Sequence, residues 1–504
     1  MELGELLKGI EGIGAAMSPK GDVTSVCYSA NQCRPGSLFV AIEGLVHDGH
    51  DFIGEAVSRG ARFVVHQKEV VVPEGVVAFR VPDSRRALGR LARNFFDNPS
   101  EKITLIGVTG TSGKTTVAYL LESILTAAGF RCGVLGTVNY RFEGTILPAP
   151  NTTPESYEMQ KILRDMANAG VTHVVAEVSS HALDLKRVDD CDFDLGVFTN
   201  LSPEHLDYHR NMEDYFRAKK RLFTELLASS HKERRPKAVI NVDDAWGRKL
   251  VSEISVPSLT YGASGDVAAT KADISLSGIR AEISAAGRTL QVSSPLIGPF
   301  NLLNILAAVS AATVLNINPL SIEAGVQTLT CVPGRLQRVE SPEGIHVFVD
   351  YAHKPDALDQ VLRTLSHLKR KKIITVFGCG GNRDRLKRPV MGKIAAAYSD
   401  ITIITNDNPR LEDPRAIIAE IESGMDLSEI KKVLPEQLKR SDRTRSYAVI
   451  EDRKAAISAA VRLAEADDIV LIAGKGHEDY QILGTKKVPF DDRLTAAEAL
   501  KARS

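Results

Sequence analysis

Between the apolar run ITLIGV (103–108) and the helical stretch VAYLLESIL (117–125) stand Gly110-Thr111-Ser112-Gly113-Lys114-Thr115-Thr116. Glycines there let backbone N–H groups turn inward around an anion, and the helix that follows offers its N-terminus to the same charge. Lys114 would neutralise terminal phosphates and the Thr115 hydroxyl would reach Mg²⁺, so the stretch reads as a nucleotide-binding phosphate loop. Its spacing departs from the general pattern, because Val108 stands where that pattern has glycine.

Other polar residues follow later apolar runs. Glu177 closes HVVAE ahead of Val178-Ser179-Ser180-His181. A carboxylate among so many apolar neighbours is costly unless it binds metal or is paired, and a capping or ion-paired glutamate is the plainer alternative. His205 in FTNLSPEHLDYH and the run Asn151-Thr152-Thr153-Pro154 are ambiguous alone: the first suits a structural loop histidine, the second a helix start. Lys219, in EDYFRAKKRLFTELL, points along the apolar direction of its helix when residues are projected at 100° each. It either snorkels or faces a site as a chemically changed lysine. Near the C-terminus, ITIITNDNPRLEDP (401–414) ends an apolar run in an acid, an amide, a proline and a guanidinium: Asp407, Asn408, Pro409 and Arg410. A capped turn with a surface arginine is the bland reading, a ligand clamp the sharp one.

The elements that must carry these groups fall into three segments. Residues 1–98 alternate short strands, GSLFVAI (36–42) and RFVVH (62–66), with helices, and end on a helix stopped by Asn98-Pro99. Residues 99–335 alternate ITLIGV, THVVAEV, LGVFTN and AVINV with helices, which predicts a mostly parallel sheet covered on both faces. The polar stretch 255–295 reads as an inserted or edge set of antiparallel strands. Residues 336–504 restart the rhythm with HVFVDYAH, KKIITVFG, DITIITND, YAVIED and DDIVLIAG, again doubly wound. At 504 residues about three domains are expected.

Composition narrows the partners. The 63 basic residues balance 63 acidic ones, so no global field argues for nucleic acid or an anionic membrane. No apolar run reaches membrane-spanning length and the first residues lack a signal-type core. Six cysteines without a CxxC pair suit reduced thiols, so a cytoplasmic protein is expected.

TGTSGKTT, NTTP, EVSSHAL, FTNLSPEHLDYH, YFRAKKRLF, GPFNLLNILAA, VPGRLQRV, VDYAHKPDAL, FGCGGNRDRLKRP, DNPR and AGKGHEDYQ, in that order, resemble the Mur ligases, the ATP-dependent amino-acid-adding enzymes of peptidoglycan synthesis. The resemblance covers essentially the whole chain and implies an α/β fold of three domains: a small N-terminal domain for the UDP end of the substrate, a central P-loop ATPase with a mostly parallel sheet, and a C-terminal Rossmann-like domain for the amino acid. It implies that Gly110 to Thr116 hold ATP phosphates with Lys114 catalytic, that Thr115, Glu177 and His205 organise Mg²⁺, and that Lys219 is carbamylated by CO₂ to support the metal. Asn304, Arg335 and Asp350 match nucleotide contacts; Asn151, Thr152, Thr153, Ser179 and Arg187 match positions holding UDP-N-acetylmuramoyl-dipeptide. The usual uridine motif, Asp-Ser-Arg, reads Ser29-Ala30-Asn31 here, so Ser29 or backbone groups would make that contact, with GLVHDGHDF (44–52) as the second wall.

DNPR implies meso-diaminopimelate as the incoming amino acid, since lysine-adding relatives lack this arginine. Arg410 would take the distal carboxylate in a planar fork. Asp407, Asn408 and Pro409 would line the site, Arg383 would add a second carboxylate contact, and Gly474 and Glu478 would surround the amine end. The implied reaction makes an acyl phosphate on the D-glutamate; it names no base for the amine, since His181 and His353, nearby in the motifs, are each open to a structural reading, and a monomer is expected. A folylpolyglutamate synthetase shares the loop and the lysine helix, but DNPR and the N-terminal segment argue against it. A P-loop switch that ligates nothing is the rival of another class.

Overall fold

The computed structural model describes residues 1–13, 20–44, 47–341, 343–439 and 445–503; Leu45 and Val46 of GLVHDGHDF lie outside them. The chain forms two compact units. The first comprises Met1–Lys271, Glu282–Gln291 and Leu303–Val326; the second comprises Ala272–Ala281, Val292–Leu302 and Gln327–Ser504.

The first unit contains two sheets. Ser25–Cys27, Ser37–Val40, Ala61–His66 and Val77–Arg80 pair in that order, all parallel. Their apolar side chains pack with Ala87, Leu88 and Leu91 of the helix Ser84–Phe95, which Asp83 caps by accepting from the Arg85 and Arg86 N–H groups. Asp97 and Asn98 then take left-handed φ values of 59° and 39° ahead of Pro99, which ends the helix where the sequence signals it.

The larger sheet runs Ser258–Tyr261, Lys237–Asn241, Leu195–Phe198, Thr104–Thr109, His173–Glu177, Cys132–Leu135, Tyr140–Phe142 and Thr145–Leu147. Its first six strands are parallel and the last two antiparallel. The edge strand Ser258–Tyr261 is therefore parallel to its neighbour, not part of an antiparallel set; Ala268–Ser275, Gly278–Ala285 and Arg288–Ser294 make a separate three-stranded sheet. Val108 is fully buried inside its strand, opposite Glu177 on one side and Val197 on the other. That register explains the absence of the pattern's glycine at Val108. It also delivers the phosphate loop, Glu177 and Thr199-Asn200 to one sheet edge.

Salt bridges tie the helix Ser84–Phe95 and its cap to loops of the larger sheet: Arg85 Nη1 to Glu155 at 2.8 Å, Arg90 to Asp190 at 2.8 Å, Arg93 to Asp192 at 2.9 Å and Lys186 to Asp83.

In the second unit the order is Gln337–Val339, His346–Asp350, Ile469–Ala473, Ile373–Phe377, Ile401–Ile404, Arg445–Val449 and Ile430–Lys432, parallel except for the first strand. Ligands of such sheets bind beyond the carboxyl ends of the strands, where Asp350, the 378–383 turn, Asp407-Asn408 and Gly474-Lys475 emerge. No helix among the described residues is long and apolar enough to cross a membrane.

Arg453 and Asp492 are both fully buried and meet through two bonds of 2.7 Å, while Arg453 Nη2 also donates to Ala473 O at 3.0 Å. This pair pins the end of the central strand Ile469–Ala473. Arg453→Met strands a buried carboxylate and is expected to lower the unfolding free energy of the second unit by about 3–5 kcal/mol. Urea denaturation followed by circular dichroism measures it; a loss under about 1 kcal/mol contradicts the pair's structural role.

Candidate active site

The phosphate loop leaves the strand Thr104–Thr109 and enters the helix Lys114–Ala127. Gly110 and Gly113 have φ of 149° and 88°, and a Cβ would run into Thr199 Oγ1 at the first and Asn304 Oδ1 at the second. The loop is held from outside. Thr199 Oγ1 donates to Ser112 O at 2.6 Å, the Ser112 N–H donates to Asn200 Oδ1 at 2.9 Å, and the Thr111 N–H donates to Asn200 O at 2.9 Å. Ser112 itself is exposed, whereas Thr115 and Thr116 are buried in the first helical turn.

Glu177 is 1% exposed and neither caps a helix nor pairs with a cation among the described contacts. It accepts from Thr115 Oγ1 at 3.0 Å, from Thr137 Oγ1 at 2.9 Å and from the Thr137 N–H at 3.0 Å. Thr137 was not singled out by the sequence; its only signal is a hydroxyl soon after the strand Cys132–Leu135. The NTTP run does not start the next helix, whose cap is Glu155. Instead Thr153 Oγ1 donates to Glu177 O at 2.8 Å and accepts from the Ser179 N–H at 3.0 Å, Thr152 and Thr137 hydroxyls stand 3.1 Å apart, and Asn151 O accepts from Tyr140 Oη at 2.5 Å. Ser179 Oγ caps the helix Ser180–Asp184, and Arg187 Nη1 donates to Thr153 O at 3.3 Å. Asn151, Thr152, Thr153, Ser179 and Arg187 thus gather beside Glu177. Ser29 lies elsewhere in the unit, its hydroxyl donating to Asn31 Oδ1 at 2.8 Å.

Lys219 is 1% exposed and lies on the buried face with Tyr215 and Phe216. The helix Met212–Arg221 runs into a π-helical turn, Leu222–Leu226, so a constant 100° projection fails beyond Arg221 although Leu222, Phe223, Leu226 and Leu227 are all buried. Lys219 Nζ donates to Gly110 O at 2.8 Å and lies 4.7 Å from the Tyr215 ring centroid. Lys114 Nζ donates to the same Gly110 carbonyl at 2.8 Å and to Thr111 O at 2.9 Å. Burial, and then the neighbouring Lys114 charge, push the Lys219 amine well below the usual lysine range, against a smaller opposing pull from Glu204. His205 adopts a left-handed φ of 57° with Nε2 3.7 Å from Glu204 Oε1 and its ring 4.8 Å from that of His181.

Among the described residues no cluster of three or more His, Cys, Asp or Glu side chains is spaced for a metal. The oxygens of Thr115 and Glu177 suit a hard divalent cation. An ammonium on Lys219 does not, and a carbamate there would.

In the second unit, Asp350 is buried and accepts from the Leu336 N–H at 2.6 Å and the Ala352 N–H at 2.8 Å; burial raises its carboxyl above the ordinary value, offset partly by Arg335. Arg335 packs over Tyr351, 5.2 Å from the ring centroid. His353 is driven down to about 4 by burial, and its Nδ1 lies 2.7 Å from Tyr351 O, so that nitrogen carries a proton and donates.

The DNPR turn lies against the GCGG turn. Asp407 and Asn408 are buried and Arg410 is half-buried. Arg410 has a left-handed φ of 55°, a strained conformation held by its N–H donating to Ile482 O at 3.1 Å and by the Gly484 N–H donating to Arg410 O at 2.9 Å. Its Nη1 donates to Gly381 O at 2.9 Å, and a Cβ on Gly380 would stand 2.9 Å from that nitrogen. The backbone therefore tethers the guanidinium, which lowers the cost of an absent carboxylate relative to a fully buried arginine. Arg383 is exposed on the same turn. Arg388, fully buried, reaches Glu412 at 2.9 Å and Glu420 at 2.7 Å and donates to Gly380 O at 3.1 Å, bracing both turns. Asn408 Nδ2 donates to Glu478 Oε2 at 3.0 Å, and Lys475, between Gly474 and Gly476, points into the same cluster. The sequence does not single out Lys475; a lysine between two glycines just past a fully apolar strand is its signal.

Three family models match the chain in sequence: "Mur ligase family, catalytic domain" over residues 22–96, "Mur ligase middle domain" over 108–312 and "Mur ligase, glutamate ligase domain" over 334–476. A Geobacter metallireducens protein named UDP-N-acetylmuramoyl-L-alanyl-D-glutamate–2,6-diaminopimelate ligase is 47% identical over 100% of this chain and 99% of its own. The chain belongs to the Mur ligase family. A solved structure of a ligase with that same printed name aligns with TM-score 0.72 and 32% identity over 100% of this chain and 99% of that one. Mycobacterium tuberculosis folylpolyglutamate synthase, solved with ADP and AMPPCP, aligns with TM-score 0.61 over 82% of this chain and 94% of that one at 18% identity, which shows a common fold. The Mur ligase architecture here is α/β in three domains, a small N-terminal one, a central P-loop one with a mostly parallel sheet and a C-terminal Rossmann-like one.

Gly110→Ala puts a methyl into Thr199 and is expected to weaken binding of a non-hydrolysable ATP analogue at least about tenfold, or about 1.4 kcal/mol. Isothermal titration checks this, and unchanged affinity contradicts the role given to the loop.

Proposed function

We propose that this chain is an ATP-dependent ligase that adds meso-diaminopimelate to the D-glutamate of UDP-N-acetylmuramoyl-L-alanyl-D-glutamate, working as a cytoplasmic monomer in peptidoglycan precursor synthesis and hence in cell shape and division. The observation that carries the choice of amino acid is the tethered Arg410 beside the buried Asp407 and Asn408. A guanidinium fixed by backbone carbonyls presents a planar fork to a carboxylate with little ordering cost. Diaminopimelate has such a carboxylate beside its distal ammonium; lysine has only the ammonium. Arg383, Pro409, Gly474 and Glu478 would complete the pocket. The full-length likeness to proteins named for this ligation supports the same reading.

Lys114 and the loop amides would hold the ATP phosphates, with Asn304 against Gly113 and Arg335 and Asp350 contacting the nucleotide. Asn151, Thr152, Thr153, Ser179 and Arg187 would hold the muramoyl-dipeptide, with Ser29 toward the uridine. A γ-carboxylate oxygen of the D-glutamate takes the terminal phosphoryl group and ADP leaves. The amine nitrogen of diaminopimelate then attacks the acyl carbon, phosphate departs and the amine sheds a proton. Mg²⁺ held by Thr115, Glu177, His205 and carbamylated Lys219 would supply positive charge to the phosphoryl group in flight. Lys219 is suited to carbamylation because burial and Lys114 favour the neutral amine, the form that attacks CO₂ to give a carbamate and a proton.

Arg410→Ala is expected to raise KM for diaminopimelate at least about tenfold, the worth of a charge-assisted pair. KM for ATP should stay within about twofold; equal KM values for diaminopimelate in both proteins would remove this role. Incubation with ¹³C-bicarbonate is expected to give a carbamate carbon signal in the native protein and none in Lys219→Arg; a native protein without the signal contradicts the carbamate.

A further inference from the structure

Lys475 follows the fully buried strand Ile469–Ala473 and sits between Gly474 at φ 119° and Gly476 at φ 56°. Its side chain is 0% exposed. Nζ lies 3.1 Å from Asn408 Oδ1, 3.2 Å from Glu478 Oε2 and 3.5 Å from Asp407 Oδ1, with the Tyr480 ring centroid at 5.5 Å. An ammonium withdrawn from water depends wholly on such partners. The nearby Arg453 does not disturb the balance, since Asp492 matches its charge. Counted by themselves, the two carboxylates and one ammonium of this cage carry one net negative charge; the Lys387 ammonium, which Asp407 also feels, stands outside it and donates to His353 O at 2.7 Å.

The cage is also the place where the reading above puts the distal ammonium of the amino acid, and this inference rests on that reading. Lys475 uses the same acceptors that the ligand would use. We infer that Lys475 is a positioning and specificity residue: it gathers Asp407, Asn408 and Glu478 around one centre and leaves them a single unit of negative charge. One incoming ammonium neutralises the cage while Arg410 takes the neighbouring carboxylate. The site is thereby matched to a zwitterionic amino-acid end. Without Lys475 the cage carries two negative charges, which favours an end bearing an ammonium and no carboxylate.

The test is steady-state ligation by the full chain with meso-diaminopimelate and with L-lysine. Lys475→Met is expected to raise KM for diaminopimelate at least tenfold, to leave KM for ATP and for the UDP-nucleotide within twofold, and to cut the diaminopimelate-to-lysine ratio of kcat/KM at least tenfold. Lys475→Arg, which keeps the charge, is expected to hold that ratio within threefold of the native value. A merely structural defect would lower both amino acids together. An unchanged ratio in Lys475→Met, or an equal collapse of the ratio in Lys475→Arg, overturns the inference. Where Lys475→Met does not fold, Lys475→Gln is read in the same way. Arg410→Ala separates the two claims: if it raises KM for diaminopimelate while Lys475→Met does not change the ratio, only the charge-setting role fails; if Arg410→Ala has no effect, the amino-acid site itself is misplaced.

Discussion

Ionised groups withdrawn from water at the carboxyl ends of parallel strands must have their partners fixed in advance, and both units of this chain are organised around that requirement. In the first, the strand Thr104–Thr109 lies between Leu195–Phe198 and His173–Glu177 in strict parallel register, so the phosphate loop, the Thr199-Asn200 brace and Glu177 emerge together. In the second, the parallel strands ending at Asp350, Phe377, Ile404 and Ala473 bring the buried Asp350, Asp407, Asn408 and Lys475 to one edge of their sheet. The strands are mostly apolar and solvate charge poorly. Threonine hydroxyls, backbone amides and opposite charges take over from water.

Glycine and threonine have matching roles in this scheme. Gly110, Gly113, Gly380 and Gly381 stand where a side chain would collide with Thr199, Asn304, Arg410 or Pro409. Thr115, Thr137 and Thr153 supply short donors that reach Glu177 without bringing a second charge. Lys219 is the costly exception. Its ammonium shares one carbonyl with Lys114, an arrangement that disfavours the charged form.

Much of this was legible in the sequence because the relevant groups end an apolar run or, like Lys219, stand within an apolar helix face. The loop, Glu177, Lys219 and DNPR all interrupt a hydrophobic pattern, and interruption is what periodicity reveals. What stayed hidden has physical causes. Thr137 and Thr199 are neutral and common, and their importance lies in what they touch across the sheet. The π turn after Arg221 leaves no mark in composition. Ser258–Tyr261 is a half-buried edge strand, so its polarity suggested an antiparallel partner where the backbone pairs parallel. For Arg410 the sequence offers only a surface arginine or a ligand clamp, and the backbone carbonyl that holds it half-buried leaves no mark in residue type.

On the proposed function, a tethered guanidinium and an acidic cage in the C-terminal domain select the amino acid electrostatically. The most direct measurement offers the native enzyme equal concentrations of meso-diaminopimelate and L-lysine with ATP and the UDP-muramoyl-dipeptide, and weighs the product by mass spectrometry. The diaminopimelate adduct is expected to dominate by at least about a hundredfold, the equivalent of about 2.7 kcal/mol. Comparable amounts of the two adducts would contradict it.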